Sequence, residues 1–372
     1  MEQIFTYYPT YAILDNIISL STKNRVNIFV DLKNAAQSLY QEWAIKTLIE
    51  QSRGSTTVDV SIFEAFLSFV DFHKTYARKR NIDLKMIFNM EQGKSGYHID
   101  LLPTYKSNRN VNFLNLDTTD LNIFETLKAK NFSVIDKAGN AIKDVTVISF
   151  KFLEADFIPY YIINNFWKDE QNCVNIIYSM DKDMLQCINK NTCQFFKHGQ
   201  DKRIYDINNV SYRWFKDKRV DFLTAETIPM FLALVGDISD TIPKVLDRCG
   251  DVSAGKIMSE IFQKTNMTEI YENILKKESI FKKFDGTNSK ELNILKNRED
   301  ILIRNLKLTS FYLLSCHMNN PTYTDMIDKK NQVISLLNNT NKVTNPEIVM
   351  KSFEKLGMRN LINEGLIYQV FK

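Results

Sequence analysis

Histidine and paired cysteine are scarce in this sequence. Four histidines (His73, His98, His198, His317) and five cysteines (Cys173, Cys187, Cys193, Cys249, Cys316) are scattered through 372 residues with no CxxC pair. A zinc site built from His and Cys is therefore a poor reading. The odd cysteine count points to free thiols in a reducing compartment. No apolar run is long enough to span a bilayer, and Met1–Leu14 lacks the basic start and apolar stretch of a secretory signal. These absences lead to the expectation of a soluble, cytoplasmic protein. Glycine (11) and proline (7) are also sparse, while Lys, Asn and Ile are abundant, a bias of the kind an AT-rich genome produces. There is no internal repeat and no low-complexity linker.

What is present is enough for a packed protein. Hydrophobic residues make up 44% and aromatics 12%, and the length exceeds what one core usually serves. The net charge of +4 is mild, but basic residues gather in Lys74–Arg80, Lys94–Arg109 and Arg213–Arg219. Any one of these runs reads equally well as a solvated helix face. Apolar runs at Val26–Val30, Leu84–Met90, Val145–Phe150 and Val174–Met180 predict four strands. Between them, helical spacing predicts a helix from the first strand to about Glu50, another over Val60–Arg80, and a third over Glu154–Trp167 disturbed near Pro159. Short strands and turns follow over Cys193–Arg219, then helices over Ala225–Val235, Val252–Gln263 and onward. The expected class is α/β, with a mostly parallel sheet followed by a helical half and a boundary near residue 220.

The acids fall where such a sheet collects ligands. Asp31 closes the first strand and Glu91 the second, Glu154 and Asp156 follow the third, and Asp181 and Asp183 follow the fourth. The carboxyl ends of parallel strands share one rim, so these side chains converge there. Asp237 and Asp240 add a further pair in the turn VGDISDTIP after the Ala225–Val235 helix. Two carboxylates about 4 Å apart repel by roughly 4 kcal/mol at an effective dielectric near 20. Eight such groups would need cations to neutralise them, and hard oxygen donors select magnesium or manganese. A single strand-end Asp is more often a helix N-cap. Capping does not account for an acid at every strand end.

In order and local context these residues resemble the 5′ nucleases, a family that includes flap endonucleases, the 5′ nuclease domain of bacterial DNA polymerase I and phage enzymes. IFVD at Ile28–Asp31, EAD at Glu154–Asp156, SMDKDMLQ at Ser179–Gln186, GDISDTIPKV at Gly236–Val245 and GKSGYHIDLLPTYKSNR at Gly93–Arg109 are similar to five family motifs, in the family's order. Within the family, KSGY at Lys94–Tyr97 and the helical region after Arg304 look most like the RNase H of T-even phages. The resemblance implies a PIN-like nuclease domain over residues 1–220 with a helical arch at about 104–151. It also implies a helical DNA-binding domain over 221–372 that opens with a helix–three-turn–helix motif.

The resemblance further implies two Mg2+ or Mn2+ ions. The first would be held by Asp31, Glu91, Glu154, Asp156 and Asp181, the second by Asp181, Asp183, Asp237 and Asp240. Lys106, Arg109 and Lys94 would face the scissile phosphate. Lys244, Arg248, Gly250 and Lys256 would contact the duplex backbone, and K+ would be a candidate ligand of the helix–three-turn–helix. The chain departs from the pattern in three places. Glu91 stands where Asp is usual, His98 stands where Arg is usual and reads as a plain surface His at least as readily as a phosphate contact, and KVLDRCG replaces the family's glycine-rich hairpin.

The implied activity is 5′→3′ exonuclease and flap endonuclease action on RNA–DNA and DNA duplexes, with removal of RNA primers during phage lagging-strand replication by a monomer. A PIN-like single-strand ribonuclease and a non-catalytic DNA-structure-binding protein are the alternatives. The GDxxD turn disfavours the first and the full acid set disfavours the second. The apolar spacing of Glu354–Phe371 reads as a helix packing on the second domain, or as a docking site for a single-stranded-DNA-binding protein or sliding clamp.

Overall fold

The computed structural model describes residues 25–31, 62–92, 95–108, 145–151, 153–167, 173–198, 201–215, 220–247, 249–284 and 289–318. The expected helices ending near Glu50 and spanning Glu354–Phe371 lie outside these residues, as does most of the expected arch.

Strands β1 (Arg25–Asp31), β2 (Asp83–Gln92), β3 (Val145–Lys151), β4 (Cys173–Tyr178), β5 (Thr192–His198) and β6 (Asp201–Tyr205) form one sheet in the order β3-β2-β1-β4-β5-β6. The first five run parallel and β6 returns antiparallel along β5. Five carboxyl ends therefore open on one edge. Central β1 is buried from Val26 to Val30, which is why it reads as a near-continuous apolar run, broken only by Asn27, rather than an alternating one. Phe29 lies level with Ile87 and Ile177, and with Ile148 they pack under Phe157, Ile158, Tyr161 and Ile162. Each such side chain contributes about 1.5–3 kcal/mol when fully buried.

A polar row crosses the same sheet. Asn27 Nδ2 donates to Asn175 Oδ1 at 2.8 Å, and Asn175 Nδ2 donates to Thr192 Oγ1 at 3.3 Å. All three residues are buried and level in register on β1, β4 and β5. A buried amide left unpaired is costly, so this row holds the three strands in one alignment.

Helix α1 (Ile62–Lys79) leads into β2, α2 (Gly96–Leu101) follows it, and α3 (Phe157–Phe166) connects β3 to β4. Pro159 does not disturb α3 as its sequence suggested. It falls in the first helical turn, where the missing N–H has no intrahelical acceptor to lose. Beyond residue 220 come α4 (Ile228–Val235), α5 (Asp251–Phe262), α6 (Met267–Leu275), α7 (Lys290–Lys296), α8 (Glu299–Thr309) and α9 (Phe311–Met318). Helix α4 is apolar all round and buried from Ile228 to Leu234, so it forms the axis about which the others pack. Its cluster includes Leu185, Ile188, Phe196 and Tyr205, while Phe311, Leu314 and Met318 of α9 join the cluster under the sheet. No described helix is long and apolar enough to cross a membrane.

Candidate metal centre

The rim is assembled from four strand ends and one turn. Asp31 ends β1 and lies level with Asn89 of β2. Glu91, two residues further along β2, pairs in register with Phe150. Glu154 and Asp156 occupy the short connection between β3 and α3. Asp156 takes the N-cap position, yet its side chain caps nothing, and its buried Oδ1 has no hydrogen-bond partner. After β4 the chain turns sharply: Asp181 Oδ1 accepts from the Asp183 amide at 3.0 Å, and Gln194 Nε2 holds the Asp181 carbonyl at 2.7 Å. Asp183 then opens a 3-10 turn (Asp183–Cys187), and its buried Oδ1 is also unpartnered.

The fifth contributor follows α4. Gly236 leaves the helix with φ +70°, and a Cβ there would stand 2.7 Å from the Ile242 carbonyl oxygen. Only glycine fits that close approach in left-handed backbone. The chain then closes an antiparallel bridge between Asp237 and Ile242, which buries Asp237 and Asp240. Opposite, the Thr104–Lys106 turn docks backbone to backbone: the Lys106 amide donates to the Asp240 carbonyl at 3.0 Å, and the Thr241 hydroxyl to the Thr104 carbonyl. Lys106 (φ 53°) and Thr241 (φ 61°) both adopt left-handed backbone, an uncommon state for residues with a side chain.

This docking carries Tyr105 and Lys106 into the acids. Lys106 Nζ lies 2.6 Å from Glu154 Oε1 and 3.9 Å from Asp240 Oδ2. The Tyr105 hydroxyl is 3.1 Å from both Glu154 Oε2 and Asp240 Oδ2, one proton between two carboxylates. Behind it, His98 stacks on the Tyr105 ring at 4.7 Å. His98 is buried, contrary to the surface residue expected, because Nε2 faces the Leu308 carbonyl at 3.2 Å and Nδ1 the Ser95 hydroxyl at 2.7 Å. Burial lowers its pKa, and Nε2, facing a carbonyl, is the nitrogen that donates. At the other side Lys182 Nζ pairs with Asp237 Oδ2 at 2.9 Å, while Asp237 Oδ1 accepts from the Ser239 amide (2.9 Å) and hydroxyl (2.6 Å). Carboxylate oxygens of Asp183, Asp237 and Asp240 all lie within 4.8 Å of one another.

Charge decides what this cluster needs. Burial pushes the Glu154 pKa up, but Lys106 and His98 outweigh it and the carboxyl ends below its ordinary range. Burial likewise opposes ionisation of Asp237, and Ser239 and Lys182 overcome it. For Asp156 and Asp183 the balance tips the other way: burial, then Glu154 for the one and Asp181 for the other, outweigh the pull of Lys106 and Lys182 and drive both well above the carboxylate range. Asp181 is raised too, by burial first. Two half-buried acids, each with a buried oxygen that has no partner, in a set of hard oxygen donors, fit a divalent cation such as magnesium.

Of the acids expected from sequence, Asp156, Asp181, Asp183, Glu154, Asp237 and Asp240 come together, with Asp31 close enough to repel Asp156. Lys106 joins them. Lys244, Gly250 and Lys256 are exposed around the α4–α5 connection, away from the acids' hydrogen bonds. Lys94, Arg109 and Arg248 lie outside the described residues. Sequence reasoning passed over Tyr105 and Lys182. Lys182 had a signal, a cation between two motif acids; Tyr105 had none, since its partners lie 49 and 135 residues away.

No family model matches the chain. It is 30% identical over 172 residues to DNA polymerase I of Caldicellulosiruptor bescii, which covers 44% of this chain and 18% of the polymerase. The chain thus spans under a fifth of that relative. The D15 protein of T5 co-crystallized with metal ions superposes with a TM-score of 0.54 at 19% identity, over 83% of this chain and 98% of that one. A variant of the bacteriophage T5 D15 flap endonuclease, in a pseudo-enzyme-product complex with DNA and metal ions, gives 0.56 at 17%, with the same coverage. T5 5′-exonuclease with bound zinc gives 0.54 at 19%, over 84% and 99%. The chain therefore shares the mostly parallel α/β fold of these proteins.

Proposed function

We propose that this chain, which has the fold of the T5 5′-exonuclease, is a divalent-metal-dependent 5′ nuclease. It hydrolyses phosphodiesters of RNA–DNA and DNA duplexes from the 5′ end and at flaps, and removes RNA primers during phage lagging-strand replication. The observation that carries this reading is the pair of buried, unpartnered carboxylate oxygens on Asp156 and Asp183 within the strand-end rim. Asp31, Glu91, Glu154, Asp156 and Asp181 would hold one Mg2+ or Mn2+ ion, and Asp181, Asp183, Asp237 and Asp240 a second. Bound there, the ions supply Lewis-acid polarisation of the phosphate and activation of water.

The chain's own residues do the rest. Lys106 presents its ammonium at the rim from a rigid docked turn, where it meets the scissile phosphate and its developing charge. Arg109 and Lys94 extend the same basic face. Lys244, Arg248, Gly250 and Lys256 contact the duplex backbone, with K+ a candidate ligand beside them, and position the 5′ end without reading sequence. Water forms the new P–O bond, the P–O3′ bond breaks, the departing 3′ oxygen takes a proton, and the product keeps a 5′-phosphate.

A 5′-labelled flap and a nicked RNA–DNA duplex, with and without Mg2+, test the reading for the wild type and Asp181→Asn. Metal-dependent release of short 5′ fragments, lost in the variant, is the expected result. Binding with no cleavage in any metal would overturn it, and cleavage of single-stranded RNA alone would replace it with a ribonuclease.

A further inference from the structure

The acids of the rim are not equally available. Asp183 Oδ1 has no partner, whereas both oxygens of Asp237 are already engaged: Oδ1 by the Ser239 amide and hydroxyl, Oδ2 by Lys182. Lys182 reaches Asp237 because of the turn it stands in. The Asp183 amide bonds back to Asp181 Oδ1, which sets helical backbone at Lys182 (φ −70°, ψ −26°) and sends its side chain across to the α4 turn. The lysine side chain is 29% exposed against 10% for Asp237, so the ammonium has a path to solvent without opening the core. Asp237 belongs to the one group of described acids whose ligand atoms already lie within 4.8 Å of each other.

From this geometry we infer that Lys182 is the resident counter-ion of the Asp183–Asp237–Asp240 group and sets that group's affinity for a divalent cation. An ion that takes an oxygen of Asp237 competes with the ammonium for that carboxylate, and it then meets a positive charge one residue away from two of its candidate ligands. Lys182 is thus a positioning residue that keeps the Asp237 turn in place when metal is scarce. It makes this position fill later than it otherwise would. The inference rests on the metal-dependent reading above and deepens it.

The test is titration calorimetry of the full chain with Mn2+, for the wild type, Lys182→Met and Lys182→Gln, with melting temperatures in chelator and in Mn2+. Removing one competing charge at this range should tighten the weaker Mn2+ event by at least about tenfold. Both variants should melt lower than the wild type in chelator yet gain more on adding Mn2+, a split that a purely structural lysine would not give. The glutamine variant keeps a donor to Asp237 and carries the test if the methionine variant misfolds. An unchanged or weakened second event in a folded variant overturns the inference while leaving the nuclease reading intact. Two binding events without cleavage sink that reading and spare this one. No Mn2+ binding by the wild type overturns both.

Discussion

Tyr105 places a single hydroxyl proton between two buried carboxylates, Glu154 and Asp240. Tyr105→Phe should lower stability in chelator by about 1.5–3 kcal/mol, the range for hydrogen bonds to charged groups. The loss should shrink in saturating Mg2+, where cations take over the neutralisation. Urea unfolding under both conditions checks this, and an equal loss in each would mean the hydroxyl does not serve the acids. His73 gives the pH dependence. Burial depresses its pKa to about 4 against an ordinary 6.5, and Nδ1 stays hydrogen-bonded to the Phe69 carbonyl. The unfolded chain takes up a proton that the folded one refuses, so stability is intact above pH 6.5 and falls as pH drops toward about 4. That depression amounts to about 3 kcal/mol. His73→Leu should flatten this limb of the stability curve. At this scale the sequence showed the strand-end acids, whose place follows from the apolar run just before them. It hid the burial of His98, whose partner Leu308 lies 210 residues away.

Among the elements, the turn after α4 is the most constrained. A Cβ on Gly236 would collide with backbone atoms of Ile242, Pro243 and Lys244, none of which can step aside like a side-chain tip. Gly236→Ala should therefore cost more than about 2 kcal/mol and weaken Mn2+ binding by moving Asp237. Gly255→Ala is the control. Its added Cβ first meets the Phe222 ring, away from the acids, so it should leave metal affinity near wild type. Denaturation and metal titration of the two variants would separate these outcomes. The strands were legible because a central parallel strand is apolar on both faces. The start of α4 was less so: the sequence suggested Ala225, but the Thr227 hydroxyl bonds the Phe222 carbonyl and holds a turn until Ile228.

Across the whole molecule, the two apolar clusters run through both halves of the chain, and polar ties reinforce them. Gln186 donates to the Thr309 carbonyl and accepts from the Phe311 amide, and Asn305 spans the Ala233 and Pro243 carbonyls. The acids are drawn from both halves as well, so a cation bound among them should stabilise both together. At a Mg2+ concentration one hundred times Kd, the gain is about 2.7 kcal/mol. Calorimetric melts should show one transition over the α/β and helical parts, shifted upward by Mg2+; a helical transition that ignores Mg2+ would contradict the shared core. None of this was readable from the sequence, where residue 220 marks only a change of local pattern. Which surfaces meet across that point depends on contacts that no window of neighbouring residues contains.

The buried row of Asn27, Asn175 and Thr192 gives the sheet a datum line. Asp31 stands four residues above it on β1, about 13 Å at the usual rise per residue, and Asp181 six residues above it along the β4 path. The relative height of the acids is therefore gauged from the opposite end of the strands, by one amide pair and its threonine partner, well away from the rim. A slip of one residue would break the amide match and turn Asp31 to the other face. The tolerances of the rim are set at the far end of the sheet, and chemistry at the edge can diverge freely while that calibration is kept.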